Sequence, residues 1–300
     1  MIAPAAIDAA LRAAGLPASI VSMRDLSGGC VHHVIEVILA DGRALVAKCS
    51  SNRNLGWFEQ ERASLDALAA TSTVRVPQAL AVVAHGSSAV LLMTAIPPGR
   101  ADDRAWRQFG RELAALHAAP TPGRGYGFDH DNHLGSTPQP NAWRDDWVEF
   151  NAVNRLGHQV RLARRANLLS TDESRRIEAV ISRLDRLIPR RPRPALLHGD
   201  LWSGNALPAV APGRETGGGR IAVIDPACSI GDGWADIAMM RLFGGFPDSC
   251  FDEYAANIND HDDIAGRIAV YQLYHLLNHL NLFGRGYAAQ AMSIAARLGG

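Results

Sequence analysis

Lysine is almost missing from this chain. Of its thirty basic residues one is a lysine, Lys48, and the rest are arginine, and thirty acidic residues bring the formal net charge to +0. No overall field of one sign therefore gathers nucleic acid or an anionic membrane onto the surface. Cysteine is scarce as well. The four present, Cys30, Cys49, Cys228 and Cys250, show no C-x-x-C spacing and are too few to staple 300 residues, which suits reduced thiols in the cytoplasm. No apolar run approaches the ~20 residues that a bilayer demands. The best stretch, Ala79 to Pro98, is interrupted by His85, Gly86 and Ser87, so a soluble protein without membrane partners is expected. At the N-terminus Asp8 precedes the first basic residue, Arg12, while Ile7, Leu11 and Ala14 recur at helical spacing, a pattern unlike a secretory leader. No internal repeat is visible.

What is present describes a globular chain: 47% hydrophobic and 20% charged residues over 32.2 kDa, enough for one large domain or two modest lobes. The first part reads as strands around turns. Ile20 to Leu26 leads into Ser27-Gly28-Gly29, then Val31 to Leu39, the hairpin pair Asp41-Gly42, and Leu45 to Lys48. Trp57 to Ala70 carries Phe58, Leu65 and Leu68 at helical spacing. A second hairpin, over Val82 to Ala84 and Ala89 to Thr94, turns at His85 to Ser88, and Pro97-Pro98-Gly99 then breaks the pattern. The lobe boundary is expected between Thr94 and Gly99. Beyond it helices are expected over Trp106 to Ala118, Asp146 to Leu169, Thr171 to Leu187 and most of Ile237 to Leu298. They are separated by a long polar loop, Pro122 to Trp143, and by short strands at Leu196-Leu197 and Ile221 to Ile224 around a Gly217-Gly218-Gly219 tip.

The strongest chemical signal is Leu197-His198-Gly199-Asp200-Leu201-Trp202-Ser203-Gly204-Asn205, followed by Ile224-Asp225-Pro226. In an H-x-D-x-x-x-x-N loop the aspartate can take a proton from an attacking hydroxyl, the asparagine a turn later can hold a metal ion on phosphates, and a strand-ending aspartate some twenty residues on supplies a second oxygen ligand. A bare D-x-x-x-x-N would more simply cap a turn. The strand aspartate downstream favours the catalytic alternative. Upstream, Gly28 and Gly29 join two strands and could let backbone cover phosphates, although two glycines are more often only a turn. Lys48 follows the apolar run Ala44 to Ala47. A lysine is a compact point charge where arginine is a wide fork, so a cramped phosphate site can demand one and refuse the other. Glu61, on the next helix, fits as its ion-pair partner. Glu59 competes for that role, but two positions away it faces another side of the helix.

In order these parts form phosphoryl-transfer machinery. The chain resembles the fructosamine kinase (ketosamine-3-kinase) family, related to aminoglycoside and choline phosphotransferases, from about Leu26 to the C-terminus. The resemblance rests on Leu201 to Asn205, Gly127-Phe128-Asp129 through Thr137 to Asn141, Asp146 to Phe150, Leu242 to Phe246, and Tyr271 to His275 through Phe283-Gly284. It implies a bilobal α+β protein-kinase-like fold: a small antiparallel-sheet lobe over residues 1–94 and a larger helical lobe over 95–300 holding the catalytic loop and acceptor site. It implies ATP-dependent phosphorylation of the 3-hydroxyl of a ketosamine such as a fructosamine or ribulosamine, after which the phosphate decomposes and frees the amine. By the same resemblance Asp200 is the base, Asn205 and Asp225 hold Mg²⁺, Lys48 and Glu61 position ATP, and the Met93 to Ala95 hinge meets adenine. One stretch departs from the family. Where relatives carry Y-G-H-R-E-A-D, this chain reads Ile230-Gly231-Asp232-Gly233-Trp234-Ala235-Asp236. These positions are expected near the acceptor, with Asp236 bracing the catalytic loop.

Rival readings are phosphorylation of an aminoglycoside or another small alcohol, and a nucleotide-binding module without turnover. His275 and His279, four apart among leucines, are expected to pack in the core rather than bind metal. Asp145-Asp146 and Asp262-Asp263 are expected to be solvated, and His32-His33 to alternate faces of a strand. Cys30, beside the glycine turn, is either an inert filler or a thiol activated for oxidation.

Overall fold

The structure, a computed structural model, describes residues 4–26, 32–210, 219–260 and 262–299. Gly28, Gly29 and Cys30, together with the Gly217-Gly218 tip, lie outside them. The chain divides into two compact units, residues 1–101 with 207–226, and residues 102–206 with 227–300.

The first unit opens with helix α1 (Pro4–Ala13) and strands β1 (Ile20–Leu26), β2 (His33–Leu39) and β3 (Ala44–Ser51), continues through helix α2 (Leu55–Ala70), and adds β4 (Ala79–His85) and β5 (Ser88–Thr94). The five strands form an antiparallel sheet in the order β1-β2-β3-β5-β4. Strand β5 is apolar from Ala89 to Met93 because both faces are covered. Val90 and Leu92 pack with Ala6, Ile7 and Leu11 of α1, while Leu91 and Met93 pack with Phe58 and Leu65 of α2. The same period-two alternation on β3 sends Leu45, Ala47 and Cys49 toward α1, and Val46 packs on the other side, the side to which Lys48 also belongs. The expected hairpin closes through Gly86, whose φ of +58° suits a two-residue turn.

The second unit begins with α3 (Asp103–Ala118), capped by Asp102, whose carboxylate accepts from the Ala105 N–H at 2.8 Å. The polar stretch after it is not structureless. It contains the hairpin β6 (Asn132–Leu134) and β7 (Thr137–Gln139), and bridges from Tyr126 to Arg144 and from Gly127 to Ile230 tie it down. The helix expected from Asp146 to Leu169 runs as α4 (Trp147–Phe150), a π-helical segment (Asn151–Leu156) and α5 (Gly157–Arg165). The wide turn has a local cause: the Gly157 N–H donates to the Ala152 carbonyl five residues back, and a Cβ at 157 would lie 2.2 Å from that oxygen. Helix α6 (Thr171–Ile181) starts on a capping box between Ser170 and Glu173 and ends before Leu187, where a 3₁₀ turn takes over. Strand β8 (Pro194–Leu197) then leads into the loop from His198 to Asn205.

After Ala206 the chain returns to the first unit for β9 (Ala206–Ala209) and β10 (Arg220–Val223), which pair with each other. The unit boundary therefore falls at Ala101 rather than at 94, and Leu207–Pro226 belongs with the sheet unit. The reason is backbone pairing. The Gly99 N–H donates to the Pro208 carbonyl at 2.9 Å, Val210 N–H to Pro97 at 3.1 Å, and Val223 N–H to Arg75 at 2.8 Å, so residues 95–101 stay bound to that unit. Strand β11 (Ser229–Asp232) pairs with β8, and α7 (Trp234–Phe243), α8 (Asp248–Ala256), α9 (Ile264–Phe283) and α10 (Ala288–Gly299) complete the second unit. Helices α3 and α8 touch backbone to side at Gly110, where an added Cβ would sit 2.3 Å from the Cys250 carbonyl oxygen. Among the described residues no helix is long and apolar enough to cross a membrane.

Candidate active site

In the sheet unit the structure brings together Lys48, Glu61 and Asp225. Lys48 ends the stretch of β3 that faces α2 and is 6% exposed. Its Nζ lies 2.5 Å from Glu61 Oε1 and 2.6 Å from Asp225 Oδ1. Glu59 is exposed on another side of the helix, which decides the competition for the lysine in favour of Glu61. Burial opposes a charged ammonium here, but the two carboxylates outweigh it and hold Lys48 well above the ordinary lysine range. Burial, joined by the charge of Asp225, pushes Glu61 up, against the pull of Lys48. The short contact marks a charge-assisted bond, and we read the pair as ionised.

Asp225 stands two residues past the end of β10 with φ +57°, a conformation few non-glycine residues adopt, immediately before Pro226. Such strain persists where surroundings over-determine it, commonly at functional sites. His32 sits beside this cluster with its ring 4.8 Å from Phe58, and burial, then the Lys48 charge, pushes it down to about 4. His33, the first residue of β2, is exposed and pairs with Asp25 at 2.9 Å, whereas His32 lies before the strand, so the two differ in burial without alternating along one strand. Met93 is buried in the cluster under α2, and the Ala95 N–H donates to the Ala44 carbonyl at 3.2 Å.

In the helical unit the structure brings together Asp200 and Asn205. The loop is built by short-range bonds. Gly199 has φ +84°, and a Cβ there would stand 2.1 Å from the Ala227 carbonyl oxygen, so glycine is required. The Asp200 N–H donates to His198 Nδ1 at 3.2 Å, which leaves the imidazole proton on Nε2. The Asn205 amide nitrogen donates to the Asp200 carbonyl at 2.8 Å and reaches its Oδ2 at 3.3 Å, an orientation that leaves the amide oxygen for a hard cation. Leu201 is fully buried and anchors the loop, whereas Trp202 is 38% exposed.

Asp236 braces this loop as expected. Its Oδ2 accepts from the His198 N–H at 2.8 Å and its Oδ1 from the Gly199 N–H at 2.9 Å. Behind it, His117 Nε2 lies 3.2 Å from Oδ2, and Tyr254 Oη lies 2.9 Å from His117 Nδ1. Burial alone would raise the Asp236 pKa; the bond and charge of His117 with those of its other partners bring it below the ordinary range.

The departing stretch faces inward. Asp232 is 2% exposed, 2.9 Å from Arg267 Nε, and accepts from Tyr271 Oη at 2.5 Å; Trp234 Nε1 donates to the Asp260 carbonyl at 3.0 Å. Gly233 fits because a Cβ would lie 2.7 Å from His117 Nδ1. The sequence changes at these positions therefore alter interior support. Sequence reasoning missed Arg267 and Arg155, which nothing local distinguishes from the other arginines.

Elsewhere the quieter readings fit the geometry. His275 is 3% exposed, and its carbonyl accepts from His279 Nδ1 at 2.9 Å. Asp145, Asp262 and Asp263 are exposed as expected, whereas Asp146 is half-buried, caps α4 and pairs with Arg190 at 2.6 Å; Asp263 caps α9.

A profile of the family described as "Fructosamine kinase" matches residues 4–298. A protein of Synechocystis sp. named as a probable ketoamine kinase is 39% identical over 285 residues, covering 93% of this chain and 91% of its own. A chloroplastic protein-ribulosamine 3-kinase of Arabidopsis thaliana is 34% identical over 93% of this chain and 83% of its own. The solved structure of a protein described as a "putative fructosamine-3-kinase", from Haemophilus somnus, superposes with a TM-score of 0.85 at 25% identity, covering 96% of this chain and 94% of that one, which bears out the kinase-like fold. A family profile spanning nearly all of the sequence, and relatives above 30% identity across most of it, make this chain a member of the fructosamine kinase family.

Proposed function

We propose that the protein is an ATP-dependent ketosamine 3-kinase that phosphorylates the sugar hydroxyl of glycated amines. The observation that carries the reading is the buried Lys48 ammonium held between Glu61 and Asp225, an arrangement that wastes desolvation unless a polyanion is to be oriented beside it. Family membership and the names of the relatives support the acceptor class.

In this reading Lys48, positioned by Glu61, binds the α- and β-phosphate oxygens of ATP. The segment at Met93 and Ala95 borders adenine through backbone groups other than the Ala95 N–H, which Ala44 already takes. Asp200 holds the acceptor hydroxyl and takes its proton as the new oxygen–phosphorus bond forms and the bond to the departing ADP oxygen breaks. Catalysis rests on positioning and charge neutralisation, since a loose transition state asks for little covalent chemistry from the protein. The Asn205 amide oxygen and Asp225 carboxylate are hard oxygen donors that suit Mg²⁺, which is commonly held by one or two carboxylates plus phosphates rather than by an all-protein cage. When bound, Mg²⁺ neutralises charge on the β- and γ-phosphates.

The test is ADP release by the purified protein with Mg-ATP and small fructosamine or ribulosamine acceptors, run against a panel of aminoglycosides. Turnover confined to the ketosamines is the expected result; turnover on aminoglycosides alone, or on nothing, refutes the proposal.

A further inference from the structure

The helical unit contains a recess with a cavity volume of ≈ 30 Å³, lined largely by apolar surface, including Trp147 and Leu197, into which Arg155, Ser229, Tyr274 and His275 bring polar groups. That volume exceeds the ~10–15 Å³ needed for one water, so a small polar group that meets those side chains fits.

Two of the lining side chains are buried without the partners their chemistry asks for. Arg155 is 5% exposed, and among the described residues no carboxylate pairs with it. Its Nη1 donates to the Pro140 carbonyl at 2.7 Å and the Asn154 carbonyl at 3.2 Å; Nη2 donates to Asn141 Oδ1 at 2.8 Å and Ser229 Oγ at 3.2 Å. The guanidinium otherwise rests on the Phe150 and Tyr274 rings at 4.4 and 5.7 Å. Burial draws Arg155 below its ordinary value, and the charges of Tyr274 and Asp131 do not offset it. His275, 3% exposed, has a buried Nδ1 with no hydrogen-bond partner. The one carboxylate in the lining, Asp236, is already engaged by two backbone amides and His117. Arg155 also lies in the π-helical segment, and such segments recur where a helix is distorted for function.

The recess adjoins the chemistry. Gly199 immediately precedes Asp200, and Tyr274 lies under the Arg155 guanidinium and within Coulombic range of Asp200. In an adduct of an amino acid, a carboxylate sits only a handful of bonds from the reacting sugar hydroxyl. We propose that this recess, through Arg155 and His275, binds the carboxylate of the acceptor, so that adducts of free amino acids are preferred over those of simple amines. This rests on the ketosamine kinase reading.

The experiment compares the fructose adducts of glycine and of its neutral isostere glycinamide as acceptors for the wild-type protein, followed by ADP release. A charge-assisted contact predicts a kcat/KM about 10- to 100-fold higher for the glycine adduct, carried by KM. In Arg155→Met the ratio of kcat/KM between the two adducts shrinks to within about threefold, whatever the change in absolute rate. A second readout, independent of the folding of Arg155→Met, uses the wild-type protein alone. Acetate should compete with the glycine adduct and not with the glycinamide adduct. Equal kcat/KM for the two adducts overturns the inference and leaves the kinase reading standing, as does acetate inhibition that ignores the acceptor. Turnover of neither adduct refutes the kinase reading itself.

Discussion

The Asp236 carboxylate hangs the His198–Asn205 loop from α7: one oxygen takes the His198 N–H at 2.8 Å and the other the Gly199 N–H at 2.9 Å. Both donors are backbone, so the contact sets where the loop lies rather than what it does. Asp236→Asn puts an amide N–H₂ against one of these donors and strands it. We expect a stability loss of about 1–3 kcal/mol and a kcat about 10²-fold lower, with the KM for ATP little changed. Thermal unfolding and steady-state kinetics read the two effects separately, and an unchanged kcat would remove the bracing role.

Lys48→Arg tests the size argument. The ammonium sits 6% exposed between two carboxylates, with no room for a planar fork. The arginine variant should lose about 10²-fold in kcat/KM for ATP, close to the loss in Lys48→Met. Near-normal activity with arginine would mean that charge alone suffices.

Asp200→Asn should lower kcat by about 10³-fold, inside the range for a lost general base. Titration calorimetry should find nucleotide affinity within about twofold, because the base acts mainly in the transition state. Loss of nucleotide binding along with turnover would contradict that assignment.

The pH dependence of stability should carry the signature of His275. Burial pushes this imidazole down to about 3 from 6.5 in the unfolded chain. Its folded-state value is depressed, so its contribution is complete above about pH 6.5 and drains away as pH falls toward 3, where the unfolded chain binds a proton that the folded one refuses. Urea titrations of the wild type between pH 6 and 4 should show a slope steeper than that of His275→Gln by up to ~1.4 kcal/mol per pH unit. Parallel slopes would show that the ring is not buried neutral.

Gly110→Ala is a packing test away from the chemistry. With the added methyl 2.3 Å from the Cys250 oxygen, α3 and α8 must separate, at a cost of about 1–3 kcal/mol. The melting temperature should fall while kcat stays near wild type; a variant as stable as wild type would show that the helices give way freely.

Much of this was legible before any coordinates. Lys48 stood out because it is alone and ends an apolar strand, and Glu61 because helical spacing placed it and Glu59 on different sides. Asp200 and Asn205 announced themselves by spacing, and Asp236 as the last residue of the departing stretch, where the resemblance keeps its aspartate. What stayed hidden depends on pairing between distant segments. The bonds from Gly99 to Pro208 and from Val223 to Arg75 return Leu207–Pro226 to the sheet unit, and no local periodicity encodes them. Nor could a pattern reveal that Asp232 would meet Arg267 and Tyr271 in the interior, 35 and 39 residues away. The π-helical turn left a faint trace, Gly157, visible only once the Ala152 carbonyl is seen beside it.

The placing of Lys48 has a consequence for how this enzyme ages. Reducing sugars attach to amines that are both reachable and unprotonated, and its sole lysine is neither: it is 6% exposed and its proton is locked in by two carboxylates. Every other side-chain cation of the lysine-or-arginine kind is a guanidinium. A catalyst that works on sugar-damaged amines thus offers almost no side-chain amine of its own to the same damage.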